Sequence, residues 1–220
     1  MKAAVFDMDG VLVDSEAVNV AVLAEYLRDR GIAVPDQVIW EHIGAPGHLF
    51  WERVGKLNPG LDAKAAMEGY QARRRARGIA YREILYPTVK GLLKRLRRTG
   101  WRVGLASSTA RETVEEILRQ CGLSDCFDAV VCGDEVERGK PEPDIFLRAA
   151  DQLDVRPGRC VVIEDSRRGV LAGKRAGMKV IGKEDRRFNQ ELSGADVTVS
   201  GMEQVTAALM EQLLESGEIV

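Results

Sequence analysis

The chain alternates short apolar runs with longer stretches in which apolar residues recur every three or four positions. Several short runs are continuously apolar rather than alternating, which is typical of strands buried on both faces of a parallel sheet. The pattern predicts six such strands: Ala3–Phe6, Arg102–Ala106, Ala129–Cys132, Cys160–Ile163, Lys179–Ile181 and Val197–Val199.

The longer stretches predict the helices that connect these strands. Leu92, Leu93 and Leu96 share one helical face ahead of Gly100, a residue type that commonly ends a helix. The same reasoning predicts helices over residues 114–118, 145–153 and 170–176. Because strands and helices alternate, we predict an α/β fold, with a doubly wound, mostly parallel, Rossmann-like sheet.

Residues 16–84 interrupt this alternation, because their pattern is helical throughout. The predicted helices are 18–30, 38–43, 49–56 and 63–77, with a turn at residues 44–47. A helical insert directly after the first strand predicts a small all-helical cap domain over residues 16–84, and a core domain made of residues 1–15 and 85–220. The joints between the two domains are expected at Asp14–Glu16 and Ile84–Pro87.

Composition and charge exclude several kinds of partner. The 220 residues are 45% hydrophobic and 30% charged, with a net charge of −2 and a pI of about 5.9. Such a chain buries a core but has no basic field that attracts nucleic acid or anionic membranes. No stretch approaches the ~18 apolar residues of a membrane-spanning helix, and the four cysteines lack zinc-site or disulfide spacing. We expect a cytoplasmic protein with reduced thiols and no nucleic-acid or membrane partner, either a monomer or a homodimer.

Charged and hydroxyl side chains occur at or just beyond the ends of predicted strands. They are Asp7, Asp9, Ser107, Lys140, Glu164 and Asp165. Open α/β sheets bind their ligands at the carboxyl ends of the strands, so we expect these residues to share one crevice. Such a density of carboxylates requires a cation, and oxygen ligands favour a hard one, which predicts Mg²⁺.

Phosphoryl transfer to a carboxylate accounts for each of these residues. Asp7 is the expected nucleophile, because it ends a strand and is rigidly held. Asp9 is expected to protonate the leaving oxygen and then activate water. Lys140 supplies a positive charge, and Ser107 a hydroxyl donor, to the phosphate. The spacing of Thr109 and Glu112 is typical of a capping box at the start of a helix. The free N–H groups of that helix are therefore also expected to face the phosphate.

The sequence resembles the haloacid dehalogenase (HAD) superfamily, specifically its β-phosphoglucomutase-like phosphatases with a helical cap after the first strand. The stretch "DMDGVLVDSE" is a long match to the first motif of that family. Ser107, the "GKPEPD" that contains Lys140 and the "IEDS" that contains Asp165 match the other three motifs in order. The resemblance extends over nearly the whole chain.

This resemblance implies a role for each motif residue. The side chains of Asp7 and Asp165 and the backbone carbonyl of Asp9 would bind Mg²⁺, with Glu164 beside the metal, directly or through water. The groups implied in phosphate binding belong to Met8, Asp9, Ser107, Ser108 and Lys140.

The resemblance leaves more than one reaction open. Asp9 argues against a dehalogenase, which has no leaving oxygen to protonate. A β-phosphoglucomutase carries a histidine where Asn19 stands and a specificity-loop arginine near Gly47 and His48. We therefore expect a phosphatase of a small phosphorylated metabolite, a sugar phosphate or a phosphoglycolate-like acid, with a mutase and a non-catalytic phosphometabolite-binding protein as alternatives. Asn19, Gly47, His48 and Trp51 are predicted to contact the substrate.

An arginine-rich stretch at residues 73–77 raises the question of nucleic-acid binding. On a helix these side chains spread around much of the circumference, and the overall charge is acidic. The pattern therefore favours a solvated helix face.

Overall fold

The computed structural model describes residues 1–40, 47–188 and 191–216. The predicted turn at residues 44–47 and the end of the helix predicted over 38–43 lie mostly outside these ranges. Within them, no helix is long and apolar enough to cross a membrane.

Six parallel strands form one sheet, as the sequence predicts. In chain order they are β1 Lys2–Phe6, β2 Trp101–Ser107, β3 Ala129–Cys132, β4 Cys160–Glu164, β5 Lys179–Lys183 and β6 Val197–Val199. Their spatial order is β3-β2-β1-β4-β5-β6, and every neighbouring pair is parallel. The connections run outward in opposite directions from β1, so the carboxyl ends of β1, β2 and β4 meet at the switch point of the sheet.

The helices fall into two groups. Those that connect or follow strands are α5 Val89–Arg98, α6 Arg111–Cys121, α7 Asp144–Gln152, α8 Arg167–Arg175 and α9 Ala207–Glu215. Those inserted between β1 and α5 are α1 Ser15–Asp29, α2 Asp36–Trp40, α3 Gly47–Leu57 and α4 Ala63–Arg77. The α/β fold is confirmed; helix α9 lies outside the helices that we predicted.

The chain divides into two compact units. Of the described residues, 1–14, 81–186 and 191–216 form the first unit, and 15–40, 47–80 and 187–188 form the second. In the first unit, Phe146, Leu153 and Val162 belong to an apolar core between the sheet and its helices. The second unit is helical, and its assignment as a cap domain stays a prediction.

The segments at the two predicted joints are hydrogen-bonded to each other within the first unit. Val13 pairs with Leu85 in an antiparallel bridge. The amide of Asp14 donates to the carbonyl of Ile84 at 2.8 Å, and the amide of Tyr86 donates to that of Leu12 at 3.0 Å.

Two arginines of the stretch 73–77 form ion pairs on the second unit. The Arg73 guanidinium lies 2.6 Å from the carboxylate of Asp29, and Arg77 pairs with Glu25. Both pairs connect α4 with α1, which supports the interpretation of this stretch as a solvated helix face.

Candidate active site

The loop after β1 is shaped by one glycine. The amide of Asp7 still donates to the Ile163 carbonyl of β4, at 2.9 Å, so Asp7 continues the strand. Gly10 has a φ of +73°, and a Cβ placed there would lie 1.8 Å from Oδ2 of Asp165. Only glycine allows both this backbone conformation and this approach of Asp165 to the first loop.

Lys140 lies at the centre of the predicted site, where its side chain is almost wholly buried. Its ammonium contacts Oδ1 of Asp7, lies 2.7 Å from Oε1 of Glu164 and donates to the carbonyl of Ala106 at 3.1 Å. These acceptors come from the ends of β1, β4 and β2, so one side chain links three neighbouring strands. An ammonium has three donors, and all three have acceptors.

Burial and neighbouring charges shift the pKa of Asp7 and of Lys140. Burial raises the pKa of Asp7 to about 8, with Glu164 and Asp9 adding repulsion, against the attraction of Lys140. Burial by itself lowers the pKa of Lys140, but the Asp7 and Glu164 carboxylates outweigh it and raise the net pKa. A cation next to Asp7 would lower the pKa of that carboxyl group again.

Glu164 uses both carboxylate oxygens to hold its surroundings. Oε1 accepts from Lys140, while Oε2 accepts from the amides of Asp165 and Ser166, at 3.0 and 2.9 Å, and from the Ser166 hydroxyl at 2.9 Å. A Cβ at Gly169 would lie 1.7 Å from Oε1. Glu164 therefore anchors Lys140, and its predicted place beside the metal, directly or through water, stays a prediction.

The loop after β2 carries the two predicted serines. Ser107 is 1% exposed and accepts from the amide of Thr109 at 3.1 Å, whereas Ser108 is exposed. Met8 is fully buried, and its carbonyl accepts from the amide of Leu12 at 2.8 Å, so its side chain is not accessible to a ligand. The structure thus brings the motif residues of the first unit together at one edge of the sheet.

The predicted capping box at residues 109–112 is wrong. Helix α6 begins at Arg111, and its cap residue Ala110 has no side chain able to cap. The amide of Arg111 donates instead to the Asp134 carboxylate, at 3.1 Å. The Thr109 hydroxyl donates to Oδ2 of Asp9 at 3.1 Å, a contact that the sequence motifs do not indicate.

The four predicted substrate contacts lie in the second unit and differ in exposure. Gly47 and His48 are exposed at the start of α3. Trp51 is only 2% exposed and packs edge-on against Tyr26, with the ring centroids 6.0 Å apart, so its prediction is corrected to a core residue. Among the described residues, Oδ1 of Asn19 is buried without a hydrogen-bond partner.

Few side chains at the candidate site are available as metal ligands. Within the described ranges, no group of three or more histidine, cysteine, aspartate or glutamate side chains is arranged to hold a metal. Because Glu164 faces Lys140 and Asp9 is expected to bind by its carbonyl, two carboxylates remain, Asp7 and Asp165. Mg²⁺ typically takes one or two carboxylates in addition to substrate phosphate and water.

The sequence model of the haloacid dehalogenase-like hydrolase family matches residues 1–177. This chain belongs to that family. It is therefore a HAD-like hydrolase, as the motifs predict.

Three known proteins illustrate what this HAD-like hydrolase is similar to. A phosphorylated carbohydrates phosphatase of Thermotoga maritima is 33% identical over 186 residues, which are 82% of this chain and 84% of the relative. A β-phosphoglucomutase of Bacillus subtilis is 30% identical over 100% of this chain and 98% of its own. The crystal structure of a Rhodobacter sphaeroides CbbY variant with xylulose-1,5-bisphosphate has a TM-score of 0.75 at 27% identity, covering 94% of this chain and 98% of that one.

Proposed function

We propose that this HAD-like hydrolase is a Mg²⁺-dependent phosphatase that hydrolyses a small phosphorylated sugar through an aspartyl-phosphate on Asp7. The observation that carries the proposal is the contact of the buried Lys140 ammonium with Asp7 at the switch point of the sheet. A buried lysine fixed by Glu164 holds the nucleophile in place and offers a positive charge to an incoming phosphate.

The proposed reaction has two steps, formation of the aspartyl-phosphate and its hydrolysis. In the first, a carboxylate oxygen of Asp7 forms a bond to phosphorus while the bond from phosphorus to the sugar oxygen breaks, and that oxygen takes a proton from Asp9. In the second, Asp9 takes a proton from water, the water oxygen bonds to phosphorus and the Asp7 carboxylate leaves. In both steps the Ser107 hydroxyl donates to a phosphoryl oxygen, and the positive charge of Lys140 stabilises the phosphoryl group.

Mg²⁺ fits the donor set that the first loop and Asp165 provide. The side chains of Asp7 and Asp165 and the backbone carbonyl of Asp9 would hold the ion, and the near contact of Gly10 with Asp165 supports this set. The raised pKa of Asp7 also indicates a site that favours a nearby positive charge. When bound, the ion would neutralise charge on the phosphoryl group.

The substrate class rests on the relatives. The Thermotoga maritima relative is named for phosphorylated carbohydrates, and the CbbY structure contains a sugar bisphosphate. Asn19, Gly47 and His48 stay candidates for substrate contact, because two are exposed and the third has a buried oxygen without a partner. A cytoplasmic location and a monomeric or homodimeric state stay predictions from the sequence.

A mutase is the second candidate, favoured by the similarity to β-phosphoglucomutase over the whole chain. A mutase converts β-glucose 1-phosphate to glucose 6-phosphate faster than it releases inorganic phosphate. Measuring both products from this substrate distinguishes the two reactions.

The proposal is tested with p-nitrophenyl phosphate. We expect hydrolysis with Mg²⁺, loss of activity with EDTA, and a fall in kcat of about 10³-fold or more in Asp7→Asn, because the side-chain amide is a poor nucleophile. Arg73→Gln, on an exposed ion pair of the second unit, is the control that should keep its activity. Undiminished hydrolysis by Asp7→Asn would refute the covalent mechanism, and binding of phosphate esters without turnover would indicate the binding protein.

A further inference from the structure

The side chain of Thr109 contacts the carboxylate that the proposed mechanism uses for acid–base catalysis. Its Oγ1 lies 3.1 Å from Oδ2 of Asp9, across a separation of 100 residues in sequence. We infer that Thr109 is a positioning residue that orients Asp9 toward the leaving oxygen, an inference that rests on the proposed function.

Hydrogen bonds of its amide and carbonyl groups hold the backbone of Thr109 in place. Its amide donates to Oγ of Ser107 at 3.1 Å, and its carbonyl accepts from the amide of Gly133 at 3.0 Å. A Cβ at Gly133 would lie 2.2 Å from the carbonyl oxygen of Ser108, so the loop after β3 lies directly against the loop after β2. The backbone of Thr109 therefore cannot move away from Asp9 without moving both loops.

A second set of contacts fixes the far side of the same loop. The guanidinium of Arg111 donates to the carboxylate of Glu135 at 2.7 Å and to the carbonyl of Val130 at 2.8 Å. Glu135 in turn accepts from the amide of Cys132 at 2.8 Å. These bonds connect the start of α6 to the end of β3, and they restrain the backbone on the far side of Thr109.

The hydrogen bond fixes the orientation of the Asp9 carboxylate. In the ionised form of Asp9, Oδ2 accepts from the Thr109 hydroxyl, which limits rotation of the carboxylate about its Cβ–Cγ bond. Thr109 thereby holds the carboxyl group of Asp9 where it can pass a proton to the sugar oxygen in the first step and accept one from water in the second. Such alignment matters because general acid catalysis requires hydrogen-bond reach to the leaving group.

The experiment compares two esters that differ only in how much they need the acid. Nitrophenolate leaves readily without a proton, whereas the phenolate of phenyl phosphate leaves poorly. We expect Thr109→Val to lower kcat/KM for phenyl phosphate about 10- to 100-fold and for p-nitrophenyl phosphate less than about 3-fold. The parameter kcat/KM is chosen because it covers only the steps up to ester cleavage.

Three further variants separate positioning from a structural role. Thr109→Ser keeps the hydroxyl and should restore the phenyl phosphate rate. Gly133→Ala displaces Ser108 and should lower both rates together. In the Asp9→Asn background, Thr109→Val should cause no additional loss of kcat/KM for phenyl phosphate, because the acid that Thr109 orients is already absent.

The outcomes distinguish this inference from the proposed function. If the wild-type protein hydrolyses both esters and Thr109→Val lowers both rates equally, or neither, the phosphatase assignment stands and the role of Thr109 is wrong. If the wild-type protein hydrolyses neither ester, the proposed function fails, and the role of Thr109 fails with it.

Discussion

Lys140 keeps its charge in a buried position because oxygen atoms surround it. Its contacts with Asp7, Glu164 and the Ala106 carbonyl compensate the loss of hydration, and its ammonium also lies 4.9 Å from the ring centroid of Phe146. Removing one member of such a buried pair leaves the other uncompensated. The catalytic geometry and the stability of the sheet edge thus depend on the same side chains.

At this scale, Gly169 is the residue on which the position of Glu164 depends. A Cβ in Gly169→Ala would lie 1.7 Å from Oε1 of Glu164, so the carboxylate must move away from Lys140. We expect kcat with p-nitrophenyl phosphate to fall about 10- to 100-fold, since displacement of a supporting group by about 1 Å costs this much. Gly158→Ala, where no atom lies within 4 Å of the added Cβ, is the matched control. Equal activity of the two variants would contradict the role of Glu164.

Among the elements, helix α8 organises the site from two directions. Its cap residue Ser166 accepts from the amide of Gly169 at 3.0 Å, which fixes the turn after β4. From the body of the same helix, the Arg168 guanidinium donates to the carbonyl of Lys140 at 3.0 Å, and Arg175 donates to that of Pro141 at 3.1 Å. One helix therefore positions both the acidic turn and the lysine loop.

In the second unit, helices α1 and α4 pack through a close contact of Gly69 with Tyr26. The Tyr26 ring packs edge-on against the rings of Trp51 and Tyr70, with both centroid distances at 6.0 Å, so it has little room to move. A Cβ in Gly69→Ala would approach the Tyr26 hydroxyl to 2.4 Å. We expect this variant to lower the free energy of unfolding by about 1–3 kcal/mol, as overpacked cores do.

The control for this substitution is Gly91→Ala in α5. There the nearest atom is the flexible end of Arg95, at 3.3 Å, and alanine is the better helix former. This variant should be neutral or stabilising by up to about 1 kcal/mol. Urea unfolding of both variants checks the comparison, and a stabilised Gly69→Ala would exclude the close packing of α1 against α4.

For the whole molecule, the topology of the sheet decides where chemistry can occur. The chain runs outward from β1 in both directions, so the carboxyl ends of β1, β2 and β4 converge. Each end contributes part of the buried cluster, and no single element contains the site. A cation that binds this cluster binds only the folded protein, and so it must stabilise the fold.

Mg²⁺ should therefore raise the thermal stability independently of turnover. At a concentration about 100-fold above its Kd, the ion adds roughly 2.7 kcal/mol, which corresponds to an increase in Tm of about 5–10 °C for a chain of this size. Asp165→Asn should lose most of this increase, whereas Asp196→Asn, at the opposite end of the strands, should keep it. An identical Mg²⁺ response in the two variants would argue against Asp165 as a ligand.

Much of the fold could be predicted because burial on both faces leaves a simple pattern. The strand over residues 160–163 is apolar at every position, and the structure extends it by a single residue, Glu164. Trp51 was misassigned because an aromatic residue near a predicted loop has the same appearance whether it packs inward or contacts substrate. Thr109 was predicted to cap α6 instead of contacting Asp9, because a hydroxyl next to a motif does not reveal its partner.

The sequence by itself determined the parallel α/β architecture, the helical insert and the residue types available for phosphoryl transfer, because period and composition are local properties of a chain. Only the tertiary structure decided the partners of three side chains. Oε1 of Glu164 accepts from Lys140, and Asp134 rather than Thr109 accepts from the amide at the start of α6. The Thr109 hydroxyl donates instead to Asp9. Those contacts join residues 23 to 100 positions apart. Such pairings depend on the order and spacing of strands in space, which no local pattern encodes.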